Sequence, residues 1–249
     1  MGVAFAALTG LLLGSFIATL VLRWPEGRSV LGRSQCDTCR RPLGVGDLVP
    51  LLSVLWLHGR CRQCGAAIDV FHSRVEIASA AIGALALAVM PGTGGWLWAL
   101  FGWLLLPLAL LDARHFWLPD RLNALLAVTG LLLAGPLLGT PLLDRWIGAL
   151  AGGLGLAMIA WAYRRARGGD GMGGGDPKLA AAIGAWLGWQ ALPLMLLLAS
   201  LGGVAWALVT HQRKGDAPLA SRRVPFGLFA CAAAWAAVPI WPLLTGSGF

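Results

Sequence analysis

Long apolar runs separated by short basic segments dominate the chain. The runs Val3 to Leu22, Val75 to Met90, Trp96 to Leu111, Leu122 to Leu138, Trp146 to Tyr163, Leu179 to Val209 and Phe226 to Leu244 hold few charges, and apolar runs of this kind predict membrane-spanning helices. The run from Leu179 to Val209 has 31 residues, about 46 Å of helix against a hydrocarbon core about 30 Å thick. It is therefore either one steeply tilted helix or two, with a break near Trp189 where Gln190 and Pro193 follow. Eighteen of the nineteen Lys and Arg fall in Arg23 to Arg74, Asp112 to Arg121, Arg164 to Lys178 and His211 to Pro225, which leaves only Arg145 elsewhere. Basic loops stay cytoplasmic, and the split is needed to put Arg213, Lys214, Arg222 and Arg223 on that side. The pattern predicts an all-α polytopic membrane protein of about eight transmembrane helices with both termini outside. The first run lacks a basic n-region and is followed by Arg23 and Trp24, so it reads as a retained helix.

Composition agrees. Of 249 residues, 58% are hydrophobic and 12% charged, and the mean hydropathy is +0.75, unlike a soluble domain. The formal charge of +8 then serves orientation and contact with lipid headgroups, and needs no nucleic-acid partner. Trp96, Trp146 and Trp189 stand near predicted span ends as interfacial anchors. The organisation expected is a first transmembrane helix over 1–22, a cytoplasmic polar segment over 23–74, and a membrane core over 75–249.

The polar segment carries four of the five cysteines as Cys36-x-x-Cys39 and Cys61-x-x-Cys64, with 21 residues between the pairs. Two C-x-x-C turns can offer four thiolates to one tetrahedral ion, the spacing of a zinc ribbon. Arg40, Arg41, Arg60 and Arg62 offset the negative charge. A pair of disulfides or a redox dithiol is the alternative, disfavoured by a reducing cytoplasm. With all four positions filled, such a zinc is structural. Cys231, inside the last run, reads as a small core residue.

Two acids stand at run ends. Asp176 follows Gly173, Gly174 and Gly175, and Asp112 lies 64 residues upstream in "LLLPLALLDARHFWLPD". Carboxylates at the edge of a membrane are costly unless used, and two on the same edge suggest an aspartyl protease. One acid stays protonated and donates to the substrate carbonyl while the other takes a proton from water, a division that close like charges enforce. Neither can be assigned acid or base, because such protons belong to the pair. The glycines allow φ > 0 and close approach of a substrate backbone, and Pro177 suits a first helical turn. Simpler roles stay open: Asp176 as an N-cap, Asp112 paired with Arg114 or Arg121, and Asp120 as N-cap of the next span. Asp170 and Asp216 read as solvated charges.

These residues resemble the type IV prepilin peptidases, membrane aspartyl proteases of the GxGD type, with GxGD read as Gly173, Gly174, Gly175 and Asp176. The likeness covers nearly the whole chain, from "GSFIATLVLRWP" at Gly14 to Pro25, through "RSQCDTCRRPLGVGDLVPLLSVLWLHGRCRQC" at Arg33 to Cys64 and "DARHFWLPD" at Asp112 to Asp120, to the glycine-aspartate run.

The resemblance implies a bifunctional enzyme of the bacterial inner membrane. It would cut the basic leader from type IV prepilins or pseudopilins after a glycine, on the cytoplasmic face, then methylate the new N-terminal amine with S-adenosylmethionine. Asp112 and Asp176 match the family's two catalytic aspartates, and Cys36, Cys39, Cys61 and Cys64 its zinc quartet; both termini would be periplasmic. The sequence departs from the family pattern where an asparagine becomes Ala18 and where "ISxRYPxVE" reads "IDVFHSRVE" at Ile68 to Glu76, in the region associated with methylation. Glu76 is retained without an assigned role, and no GxGxxG methyltransferase signature is present. A basic leader meeting this basic face requires Asp37, Asp47, Asp69 and Glu76 to gather near it. A peptidase without methyltransferase activity, a polytopic transporter and a non-catalytic assembly protein with a zinc-binding loop are the alternatives.

Overall fold

The computed structural model describes residues 1–36, 38–169, 172–214 and 224–245, without the side chains at 45 and 211–214. The expected roles of Asp37, Asp170, Asp216, Arg222 and Arg223 lie outside the described residues. Those residues form ten α-helices and no strand, only two isolated bridges. Contacts divide the chain into two compact units, Met1–Pro91 and Gly92–Phe249.

In the first unit, α1 (Gly2–Arg23) and α3 (Val70–Val89) pack along each other. Gly14 makes the approach close, since a Cβ there would stand 2.7 Å from the Cα of Glu76. The polar segment between them contains the short α2 (Leu52–Trp56) and two small loops. Asp69 caps α3 by accepting the Phe71 N–H at 2.9 Å.

The second unit holds α4 (Thr93–His115), α5 (Asp120–Leu133), α6 (Gly135–Leu138), α7 (Leu142–Arg167), α8 (Asp176–Leu187), α9 (Leu192–Lys214) and α10 (Phe226–Thr245). The long apolar run does break as expected: Gly188 takes φ 76°, ending α8, and α9 starts at Leu192. Among the described residues six helices, α1, α3, α4, α7, α9 and α10, are long and apolar enough to cross a membrane. The 14 residues of α5 and 12 of α8 reach only about 21 and 18 Å.

Helix α8 lies at the centre of this unit, buried on nearly every face. Its Trp186 stacks on Phe101 of α4 at 4.7 Å between ring centroids, and its indole N–H donates to the Leu126 carbonyl of α5 at 2.8 Å. Small residues bring α7 against α8: a Cβ on Gly152 would stand 2.5 Å from the Ala180 carbonyl oxygen, the close packing that membrane helices use without a hydrophobic drive between them. The opposite side of α7 exposes Leu150, Leu154, Met158 and Trp161, a lipid-facing surface. Arg145, the one cation outside the basic segments, is buried and donates to the carbonyls of Gly130 and Leu131. It thereby adds a donor at the end of α5, where the Gly130 carbonyl also accepts the Ala134 N–H at 3.2 Å.

Candidate functional site

Asp112 occupies the last turns of α4, and Asp176 opens α8. Both belong to the second unit, and both are buried, at 5% and 6% exposure. The end of α4 is fixed by Phe116, which turns left-handed at φ 50° and donates its N–H to the Asp112 carbonyl. The chain then delivers Leu118, a buried side chain that touches both neighbouring elements. A Cβ on Gly175 would meet the Leu118 Cβ at 2.7 Å, and one on Gly227 would meet its Cδ1 at 3.1 Å.

The Asp112 carboxylate reaches across to α10. Its Oδ2 accepts the Leu228 N–H at 2.9 Å, one of the donors that a helix start leaves free. Gly227 allows this approach, because a Cβ there would stand 2.9 Å from the Asp112 Cγ. Asp112 is thus a buried carboxylate that caps a helix start 116 positions away, and not the solvated charge that the simpler alternative requires.

Asp176 does not cap the helix it opens. Gly175 is the N-cap, and the Asp176 Oδ2 turns back to accept the Gly173 N–H at 2.9 Å. Burial pushes this carboxyl up to about 6, the charge of Asp112 adds to the rise, and the Gly173 N–H opposes it. The two carboxylates thus interact electrostatically, in a region with little solvent. None of Gly173, Gly174 and Gly175 adopts positive φ, contrary to expectation. Gly175 is needed for contact with Leu118, while a Cβ on Gly174 would meet nothing within 4 Å. Pro177 does stand in the first turn of α8. Asp120 makes no capping bond; it is exposed and pairs with Lys178 at 2.7 Å.

In the first unit the two C-x-x-C loops are near copies. Bridges Gln35 to Pro42 and Arg60 to Ala67 close them. Within each, the residue after the second cysteine is left-handed, Arg40 at φ 55° and Gly65 at φ 70°, and donates its N–H to the first cysteine's carbonyl. The loops bring Cys36 Sγ within 3.8 Å of Cys64 Sγ, and Cys39 Sγ within 4.0 Å of Cys61 Sγ. All four sulfurs lie within 4.8 Å of one another. A tetrahedral ion bonded to sulfur at ~2.3 Å separates its ligands by ~3.8 Å, so the four cysteines offer a metal-ion site of the right size. Backbone N–H groups of Cys64 and Gln63 hold the Cys61 thiol down to about 6. The Ala66 N–H pulls Cys64 down too, yet desolvation and the other three sulfurs leave it at about 11. Four thiolates repel one another, and a divalent cation removes that repulsion.

Residues 8–90 match the model of the bacterial peptidase A24 N-terminal domain, and residues 99–208 that of the type IV leader peptidase family. A protein of Aeromonas salmonicida (strain A449) named prepilin leader peptidase/N-methyltransferase is 42% identical over 212 residues, covering 84% of this chain and 71% of the relative. Its namesake in Burkholderia pseudomallei (strain K96243) is 37% identical over 283 residues, covering 99% and 89%. One from Klebsiella pneumoniae is 41% identical over 208 residues, covering 79% and 90%. No solved structure matches the chain.

Proposed function

The chain belongs to the type IV leader peptidase family, and from that premise we propose that it is a membrane-embedded aspartyl endopeptidase. It removes the basic leader of type IV prepilins or pseudopilins at the cytoplasmic face of the bacterial inner membrane, then methylates the new N-terminus. The observation that carries the proteolytic half is the pair Asp112 and Asp176, both buried, with Leu118 packed against Gly175 beside Asp176 and against Gly227 beside Asp112.

Such a pair works with one proton between its two carboxyl groups. The ionised carboxylate takes a proton from a water molecule as its oxygen bonds to the scissile carbonyl carbon, and the protonated one donates to the carbonyl oxygen. A proton then passes to the leaving nitrogen as the C–N bond breaks. The apolar helix of the substrate lies among the spans while its basic leader stays at the surface, so the cut falls at that boundary.

Cys36, Cys39, Cys61 and Cys64 hold a structural zinc ion, whose four positions they fill. S-adenosylmethionine supplies the methyl group when bound. All eight predicted segments are membrane-embedded, with the site and the zinc segment facing the cytoplasm and both termini periplasmic.

The test is purified enzyme in liposomes with a full-length prepilin and labelled S-adenosylmethionine, followed by mass spectrometry. A product that has lost its leader and gained one labelled methyl is expected. Intact substrate with folded enzyme would overturn the peptidase reading, and cleavage without label would leave a peptidase that does not methylate.

A further inference from the structure

Leu118 links the two elements that flank the aspartates. A Cβ on Gly175, next to Asp176 in the chain, would stand 2.7 Å from the Leu118 Cβ and 3.3 Å from its Cδ1. A Cβ on Gly227 would stand 3.1 Å from that same Cδ1 and 2.9 Å from the Asp112 Cγ. One methyl group therefore lies against two bare backbones, with the Asp112 carboxyl group at the second of them. The Leu118 backbone is held as well: Phe116 turns left-handed two residues earlier, and Pro119, the N-cap of α5, restricts the residue before it. At 8% exposure the side chain is buried. It cannot retreat toward either glycine, because main-chain atoms already stand at contact there.

In peptide hydrolysis by a carboxyl pair, the carbonyl carbon comes between the two acids, and the Cα bonded to it follows at about 1.5 Å. That Cα belongs to the residue before the cut. Its substituent is the first part of the substrate to meet whatever stands beside the pair, and the Leu118 methyl stands there. A hydrogen leaves room. A methyl group in the same place must displace a leucine that has two backbones behind it, and overfilling a packed site is unfavourable.

We propose that Leu118 sets the residue before the cut, admitting glycine and turning away residues that carry a side chain. The assignment rests on the proteolytic half of the proposed function. A cut after glycine is what the family resemblance implies, and the geometry assigns the residue of the enzyme that enforces it. Gly175 and Gly227 then share one purpose, which is to hold Leu118 in place beside the aspartates.

The test is steady-state cleavage in liposomes of two full-length prepilins, one with glycine before the cut and one with alanine there. The enzymes are wild type, Leu118→Ala, Leu118→Val and Leu126→Ala, each checked for folding by circular dichroism. The readout is the ratio of kcat/KM for the glycine substrate over the alanine one, which a general loss of rate does not move. One methylene against an apolar wall discriminates by about 10–200-fold, so the wild type is expected to favour glycine at least about tenfold. Leu118→Ala is expected to bring the ratio within about threefold, and Leu118→Val to an intermediate value. Leu126→Ala removes a fully buried side chain from α5 instead and is expected to keep the wild-type ratio even where it slows cleavage. Wild-type ratios in folded Leu118→Ala and Leu118→Val would overturn the assignment, and so would equal relaxation in Leu126→Ala. Equal cleavage of both substrates by the wild type would do the same. No cleavage of the glycine substrate by folded wild type would instead sink the proteolytic reading itself.

Discussion

Asp112 Oδ2 accepts the backbone N–H of Leu228 at 2.9 Å, so the carboxylate near the end of α4 caps the start of α10. The geometry depends on Gly227, whose absent Cβ would stand 2.9 Å from the Asp112 Cγ. Gly227→Ala must shift either the carboxylate or the helix, and a displacement near 1 Å in an active site costs about 100-fold. Leader cleavage is expected to fall by about that factor. Gly174→Ala, at an exposed position with nothing within 4 Å of its Cβ, is expected to stay within about twofold of wild type. Steady-state cleavage kinetics of the two variants provide the check.

Asp176 is held near 6 by burial and by the Asp112 charge. Asp112→Asn removes a neighbouring negative charge, which favours ionisation, so the Asp176 titration moves to lower pH. Infrared or carbon NMR titration of labelled aspartate reads this directly. An unchanged midpoint would mean that the two carboxyl groups do not interact.

Metal removal acts on the cysteine loops. With four sulfurs within 4.8 Å and no hydrophobic core of their own, the loops depend on the ion for their folding free energy. After chelation and confirmed metal loss, the segment from Cys36 to Cys64 is expected to become protease-sensitive while the membrane helices keep their helical signal. A segment equally resistant with and without metal would contradict this.

The matched left-handed residues make the loops comparable. Gly65→Ala introduces a Cβ at φ 70°, at a cost of about 1 kcal/mol. It is expected to release metal at lower chelator concentration than wild type.

Much of this was legible in the sequence for reasons that are local. A 31-residue apolar run is either steeply tilted or two helices, and the basic residues that follow it decide for a break near Trp189, close to the Gly188 that ends α8. Four cysteines at C-x-x-C spacing converge because each short loop already presents two sulfurs. What was not legible depends on approach between distant elements. Nothing in "WLPD" announces that Leu118 lies against Gly175 and Gly227, or that α10 delivers an N–H to Asp112. Arg145 read as an orientation outlier, but its role is set by the carbonyls of Gly130 and Leu131. The glycines before Asp176 invited a positive-φ explanation, whereas Gly175 serves contact with Leu118. Asp120 looked like a cap, and the Lys178 side chain on α8 provides its partner instead.

The central claim is that Asp112 and Asp176 act together on the scissile bond, and the most direct test is leader cleavage of a purified prepilin in liposomes by Asp112→Asn, Asp176→Asn and Asp120→Asn, each checked for folding. The account predicts that the first two abolish cleavage while Asp120→Asn, which loses only an exposed ion pair, retains it. Near-normal cleavage by folded Asp112→Asn or Asp176→Asn would contradict the paired-carboxylate mechanism.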